Sequence, residues 1–329
     1  MRPTPWFWPG LGLCLALVCS APSAAQSRGA GSLLPHNRLN PLMLTRSGLY
    51  VQPLVEPRTG WPVTTSFAYA SVIDYMAPAW TDATVLVDAE VYRADVTVQR
   101  DLSRSVFLLG TASLAGAWGG VFDGFFEWYH GLINYDMPER EARPHNAFGY
   151  LLQTPDGRRR VYSGAPVYFD DLQVGLGVRY GRFGQTVLSV TAPTSTGPAG
   201  YRRGVPTVNL LNTFRVDFDL PVSVEASVNG GYAPRHGDFQ PEQKTLFYAL
   251  SGGLRIRVLN GASLFGSLFY HSSSFHHTTL RVVDRGELST DFGLMFRTGK
   301  GRDWWIGLNE NLVTQDPAPD LVLTFGTRW

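Results

Sequence analysis

The sequence predicts an all-β protein, a transmembrane antiparallel β-barrel of about 12 strands with a short helical insert in its longest outer loop. Three observations carry that expectation: period-two alternation over long segments, connections that alternate short and long, and an apolar leader ahead of a cysteine-free body. Composition agrees. Of 329 residues only 17% are charged, against roughly 25% in soluble domains. Apolar residues make up 44%, which excludes a disordered chain. Past the leader, no stretch approaches the roughly 20 apolar residues of a spanning helix. With 28 basic and 27 acidic side chains, the chain has no electrostatic footprint for nucleic acid.

The leader, residues 1–25, reads as a signal peptide. Arg2 supplies the positive start, residues 10–20 the apolar stretch, and Ser23-Ala24-Ala25 the small residues of a cleavage site. Leu13 before Cys14 and Val18 before Cys19 are too large for a lipoprotein signal. Both cysteines lie in the leader, so the exported chain has no thiol and depends on backbone pairing. The location implied is the outer membrane of a Gram-negative bacterium. Residues 26–60 read as a periplasmic or lumen-entering segment, and residues 61–329 as the barrel.

Alternation is clearest from residue 208 to residue 232. Val208, Leu210, Phe214, Val216, Phe218 and Leu220 share one parity, while Asn209, Thr213, Arg215, Asp217 and Asp219 hold the other. After a turn at Pro221, Val222, Val224, Ala226 and Val228 interleave with Ser223, Glu225, Ser227 and Asn229. Successive strand side chains point to opposite faces, so each strand has one oily and one wet surface. Strands over 82–98, 207–219 and 243–258 exceed the roughly 5–6 residues of soluble sheets and meet the roughly 9–11 that cross a bilayer.

Short connections fall at 101–104, 181–184, 220–221, 259–262 (with the turn pair Asn260-Gly261) and 298–303. Longer ones fall at 117–166, 194–204, 234–242, 273–285 and 315–319. That rhythm gives an even strand number with both ends on the short-turn side. The hairpin at 151–163, turning at Asp156-Gly157, is expected to rise above the barrel. Trp61, Tyr75, Trp80, Tyr180, Tyr232, Tyr270, Trp304 and Trp329 sit near strand ends, where aromatic rings anchor at the lipid–water boundary. Between residues 84 and 99 the apolar parity flips, which predicts a bulge near residues 92–95. The last segment, Leu321, Leu323 and Phe325 in alternation and then Trp329, is the signal expected by the outer-membrane insertion machinery, one anticipated partner beside outer-membrane lipid and lipopolysaccharide.

Function is sought on the wet face. Its charged residues are expected to line the lumen: Asp88, Glu90, Arg179, Arg215, Asp217, Asp219, Glu225, Arg255, Arg257, Asp291 and Arg297. The signs are balanced, whereas a selective ion pore favours rings of one sign. Mixed ladders predict a narrow or plugged lumen. Within the longest loop, Phe122, Phe125, Phe126, Tyr129, Leu132 and Ile133 recur at helical spacing. This predicts a helix lying over the barrel mouth, with Phe122, Phe125, Phe126 and Trp128 as a lid against the wall. Asp123, Glu127 and His130 follow on one polar face as candidate acid–base groups, Asp123 or Glu127 orienting His130. Glu127 and His130 also stand one turn apart, as metal ligands do, but a site needs three or four donors. No metal and no cofactor is therefore expected. His271 and Ser273 form a second candidate pair, in the manner of barrel phospholipases. Arg158-Arg159-Arg160 could meet lipopolysaccharide phosphates.

Asp88-Ala89-Glu90, Gly120-Val121-Phe122-Asp123, Trp128-Tyr129-His130 and Pro319-Asp320 resemble the motifs of an uncharacterised bacterial outer-membrane family, domain of unknown function 3187. The start at Asn37-Arg38-Leu39-Asn40-Pro41 is also similar, and the resemblance spans residues 37–329. It implies an outer-membrane barrel and no substrate, cofactor or catalytic residue. The family often carries an acidic pair before the final hairpin. This chain has Glu310-Asn311, which argues against a metal or acid–base role there. The function expected is a conduit for a small, hydrophobic solute. The alternatives are an outer-membrane lipid-modifying enzyme and a barrel that scaffolds partner proteins.

Overall fold

The computed structural model describes residues 39–44, 48, 60–133, 143–181, 183–218, 220–237, 239–298, 302–313 and 319–329. The leader, most of the segment 26–60 and Asp219 lie outside the described residues. A short helix, α1 (Pro41–Leu44), precedes three long strands: β1 (Val63–Met76), β2 (Thr84–Asp101) and β3 (Val106–Trp118). The insert follows, with helix α2 (Asp123–Ile133) and the strands β4 (Gly149–Gln153), β5 (Arg159–Val161) and β6 (Ala165–Phe169). Then come β7 (Gln173–Arg179), β8 (Gly184–Thr191), β9 (Thr207–Asp217), β10 (Val222–Tyr232) and β11 (Leu246–Leu259). The chain finishes with β12 (Ala262–His271), α3 (Arg281–Asp284), β13 (Glu287–Arg297), β14 (Asp303–Asn311) and β15 (Leu321–Arg328).

Twelve of these strands, β1 to β3 and β7 to β15, pair antiparallel with their neighbours, and β1 pairs with β15 to close the ring. Closure satisfies every edge, the condition for placing a sheet in lipid. Connections of two to five residues join β2 to β3, β7 to β8, β9 to β10, β11 to β12 and β13 to β14. The other connections are longer and gather at the opposite end. Among the described residues no helix is long and apolar enough to cross a membrane; strands make the crossing.

The register assigns each side chain to a face. Leu188, Leu210, Val216, Val224, Leu250, Leu254, Leu294, Ile306 and Phe325 point outward and are exposed. Trp61, Tyr180 and Trp329 mark the short-turn end of this apolar band, and Tyr75, Trp80 and Tyr232 the long-loop end. On the inner face, Thr213, Ser227, Asn229, Ser251 and Ser267 are shielded from solvent.

Above the band the polarity inverts. β2 has 18 residues, about 60 Å of strand, more than a tilted crossing requires. Its upper inward residues Val85, Val87, Ala89 and Val91 join Val72, Tyr150, Tyr168, Tyr201, Phe239, Phe275, Leu280, Val282 and Val283 in one buried apolar cluster that fills the vestibule. Leu39, Leu42 and Met43 belong to the same cluster, Asn40 Nδ2 donates to inward-facing Asp74 (3.0 Å), and Gly48 lies against inward-facing Asn209 and Phe247. Residues 39–44 and 48 are thus inside the barrel.

The bulge expected at residues 92–95 does not form. β1 and β2 pair in unbroken register from Val63↔Val98 to Met76↔Val85. The flip in parity has another cause. Within the band, lipid draws apolar residues outward. Above it, the vestibule draws them inward. The 151–163 hairpin becomes β4 and β5, and β4 extends the edge of β2 at Thr84–Asp88, outside the closed ring.

Placing Arg at Leu210 on the lipid face should lower the folding free energy by about 2–4 kcal/mol. Urea unfolding in lipid vesicles measures it. An unchanged midpoint would mean that this row does not face acyl chains.

Candidate functional site

The register moves two expected lumen residues to the other side of the wall. Glu90 pairs with Ser71 and Trp118, and Asp88 with Ile73, on the same outward face as Phe67 and Leu114. Neither lines the lumen. Both are buried, because the insert folds back over the outside of the barrel above the membrane band. Asp88 pairs with Arg143. Glu90 accepts the Tyr69 hydroxyl and, with one oxygen each, the backbone N–H groups of Val121 (2.9 Å) and Phe122 (2.6 Å).

Those two N–H groups stand at the start of α2, so Glu90 caps the helix from a strand of the wall. A carboxylate there satisfies orphan donors and meets the positive end of the helix dipole. The approach requires Gly120, whose φ is +79° and whose absent Cβ would fall on the Glu90 carboxylate. Asp123 Oδ2 accepts from the Asn146 N–H (2.6 Å) and ties the insert to itself. Phe122 packs edge-on against Tyr69, which also faces outward.

α2 therefore lies along the outer surface of the wall and does not cover the mouth. Of the expected lid residues only Phe126 is fully buried. Phe122, Phe125 and Trp128 are exposed, as is Leu132. Phe125, Trp128 and Leu132, at i, i+3 and i+7, form a stripe facing away from the barrel. The aromatic face is turned outward because the docked face is occupied by groups that meet polar residues of the wall.

His130 is the main one. Its side chain is 4% exposed, and its Nε2 lies 3.5 Å from Glu310 Oε1 and 3.5 Å from Asp320 Oδ1. Glu310 projects outward from β14, opposite Leu321, and Asp320 opens β15. The Tyr129 phenol hydrogen-bonds to Glu310, and burial together with that carboxylate pushes Tyr129 up to about 12, so it remains protonated and donates. Glu127 instead pairs with His145 (2.9 Å) at the surface. Neither Asp123 nor Glu127 orients His130; residues 180 or more positions away do. Glu310 is followed by Asn311, and the second carboxylate beside His130 comes from Asp320.

The second candidate pair, His271 and Ser273, is engaged in other contacts. His271 is fully buried in the lumen, stacked on Phe247 (centroids 5.9 Å apart). The Ser273 hydroxyl accepts from Lys244 Nζ and donates to the Phe275 carbonyl (3.2 Å). Its proton is committed elsewhere. Of the basic run, Arg158 spans Asp156 (2.8 Å) and Glu242 (2.6 Å) in the vestibule rim.

Of the other charged residues expected inside, Arg179, Arg215, Asp217, Glu225, Arg255, Asp291 and Arg297 stand on the parity opposite to the exposed apolar rows of their strands; Asp219 lies outside the described residues. Arg179 pairs with Asp101 (2.6 Å), Arg215 with Asp217 (2.7 Å), and Arg297 with Asp303 (2.7 Å). Glu225 stands opposite Arg215 on the neighbouring strand, with Arg255 on the strand to its other side. Asp291 accepts from Ser267 (3.0 Å) and Asn309 (3.2 Å). Arg257 shares the parity of Arg255, its backbone N–H bonded to the Pro221 carbonyl.

Every residue group that carried the family resemblance within the barrel converges on the docked helix: Glu90, Gly120, Asp123, His130 and Asp320. The profile of DUF3187, proteins of unknown function, matches residues 11–329. The chain belongs to this family. No curated protein matches the sequence significantly. Solved structures similar to this DUF3187 barrel include an outer-membrane channel from Pseudomonas putida F1, at 12% identity and a TM-score of 0.53, covering 86% of this chain and 98% of that one. Another is the monoaromatic hydrocarbon channel CymD, at 10% identity and a TM-score of 0.44, covering 91% and 93%. At 12% identity the likeness to the Pseudomonas putida channel speaks to the fold, an outer-membrane β-barrel.

Replacing Gly120 with Ala should undock α2 at a cost of about 1–3 kcal/mol. Limited proteolysis should then cut within 119–133 while the barrel itself stays resistant. An insert as resistant as the wild type would show that the Glu90 cap does not hold the helix.

Proposed function

We propose that this barrel is a gated channel of the outer membrane for a small apolar or amphipathic solute, and that the segment in the lumen is its gate. The observation that carries this reading is the position of residues 39–44 and 48, inside the ring, with Leu39, Leu42 and Met43 packed into the long-loop vestibule. A solute arriving from the long-loop side meets Tyr150, Tyr168, Tyr201, Phe239 and Phe275, surfaces that favour apolar groups over hydrated ions. It would leave past the polar middle and the paired charges at the short-turn end. Movement of the N-terminal segment opens the path, while α2, bound to the outer wall, stays in place. The similar Pseudomonas putida barrel is itself a channel, which agrees with this reading. An exposed aromatic stripe on α2 suits contact with outer-leaflet lipid, and the strand ending at Trp329 suits recognition by the insertion machinery.

A disulfide tests the gate. Gly48→Cys with Asn209→Cys places two thiols against each other in a lumen otherwise free of cysteine. In planar bilayers the oxidised barrel should be silent, and reduction should restore openings and solute uptake. Equal conductance in both states would remove the gate from the account, and a silent reduced barrel would remove the channel.

A further inference from the structure

We propose that His130, Glu310 and Asp320 bind one divalent transition-metal ion, zinc by preference, which clamps α2 to the outer wall. The three donors come from three separate segments: the docked face of α2, the upper end of β14 and the start of β15. Each offers one ligand atom, and these atoms lie within 4.8 Å of one another. The distances from His130 Nε2 to the two carboxylates are both 3.5 Å. That is long for an N–H···O hydrogen bond. It is close to the edge, about 3.4 Å, of a tetrahedron whose metal–ligand bonds are about 2.1 Å.

The donor chemistry selects the ion. One imidazole and two carboxylates suit zinc and neighbouring transition metals, whereas calcium and magnesium favour all-oxygen cages. Three protein ligands leave a fourth position for water. Tyr129, hydrogen-bonded to Glu310, is the kind of outer partner that fixes a ligating carboxylate. Burial favours the site too: the side chains of His130 and Asp320 are each 4% exposed and that of Glu310 is 14% exposed, so little water competes with an ion for the three donors. The Glu90 cap holds one end of α2 and the ion would hold the other.

The full chain, folded in detergent, purified without a histidine tag and stripped by a chelator, is titrated with Zn²⁺ by calorimetry, and bound metal is counted by mass spectrometry. One tight equivalent is expected, with Ca²⁺ unable to compete. His130→Ala and Asp320→Asn should each weaken binding by at least about 100-fold, and Tyr129→Phe, which leaves all donors in place, by about 10-fold. Glu127→Gln and His145→Ala, at the exposed pair on the same insert, should bind as the wild type does. Zinc should also protect residues 119–133 from protease in the wild type and not in the ligand variants. The heat-resistant gel mobility of the folded barrel checks that each variant folds. Should His130→Ala fail that check, the nearly isosteric Glu310→Gln decides: a folded Glu310→Gln barrel with undiminished affinity overturns the site. So does a wild type that takes up no zinc, a folded His130→Ala barrel that keeps its equivalent, or an equivalent lost with Glu127→Gln or His145→Ala.

Discussion

Backbone hydrogen bonding in lipid is the constraint on which everything else rests. An unpaired N–H or C=O costs several kcal/mol in the hydrocarbon layer, so strands can cross it only as a closed ring. The pairing of Thr64 to Ser71 with Leu321 to Arg328 supplies that closure. Once the ring is shut, the period of two assigns every side chain to lipid or lumen. Leu210 and Asn209 part company for no other reason. With no disulfide in the described barrel, this pairing also does the work that cross-links do in small exported domains.

The same wall serves two solvents along its height. In the apolar band, the outward rows dissolve in acyl chains while serines, threonines and paired charges fill the lumen. Higher up, water or headgroups surround the protein, and the wall reverts to the rule of soluble proteins, with valines inside and Asp88 and Glu90 outside. Outward carboxylates would be costly in lipid. Above it they become useful, as anchors that draw the insert back onto the barrel. The helix is held by its capped start and by His130, and its other side leaves Phe125, Trp128 and Leu132 exposed.

Much of this was legible in the residues alone. Alternation, strand length, the short–long rhythm of connections and the belts of Trp and Tyr together specify a 12-stranded barrel, because each reflects a local rule. Charged residues toward the short-turn end, such as Arg215, Glu225 and Arg297, stand on the parity opposite to the exposed apolar rows in the sequence and in the register alike. Parity alone puts Asp88 and Glu90 on the wrong side of the wall, since it does not reveal where the membrane ends, and it reads the flip in β2 as a bulge, where the pairing is unbroken. The runs Val85-x-Val87 and Val91 belong to a vestibule that only the packed loops define. His130 presented the opposite difficulty. Its partners lie 180 and 190 positions away, beyond any local pattern, although Pro319-Asp320 already stood among the family-like motifs. The outward turn of the aromatic face of α2 follows from those distant partners.

The account is tested most directly by site-directed spin labelling along β2 in lipid vesicles, one cysteine at a time in residues 26–329, which carry no thiol of their own. Labels at 94, 96 and 98 should be accessible to oxygen dissolved in the bilayer, and labels at 93, 95 and 97 should be shielded from it. At 88 and 90 the outward positions should fall silent to oxygen, covered by the insert. An unbroken oxygen period of two running up through 90 would place lipid where the account places the docked helix, and no period at all would contradict the barrel.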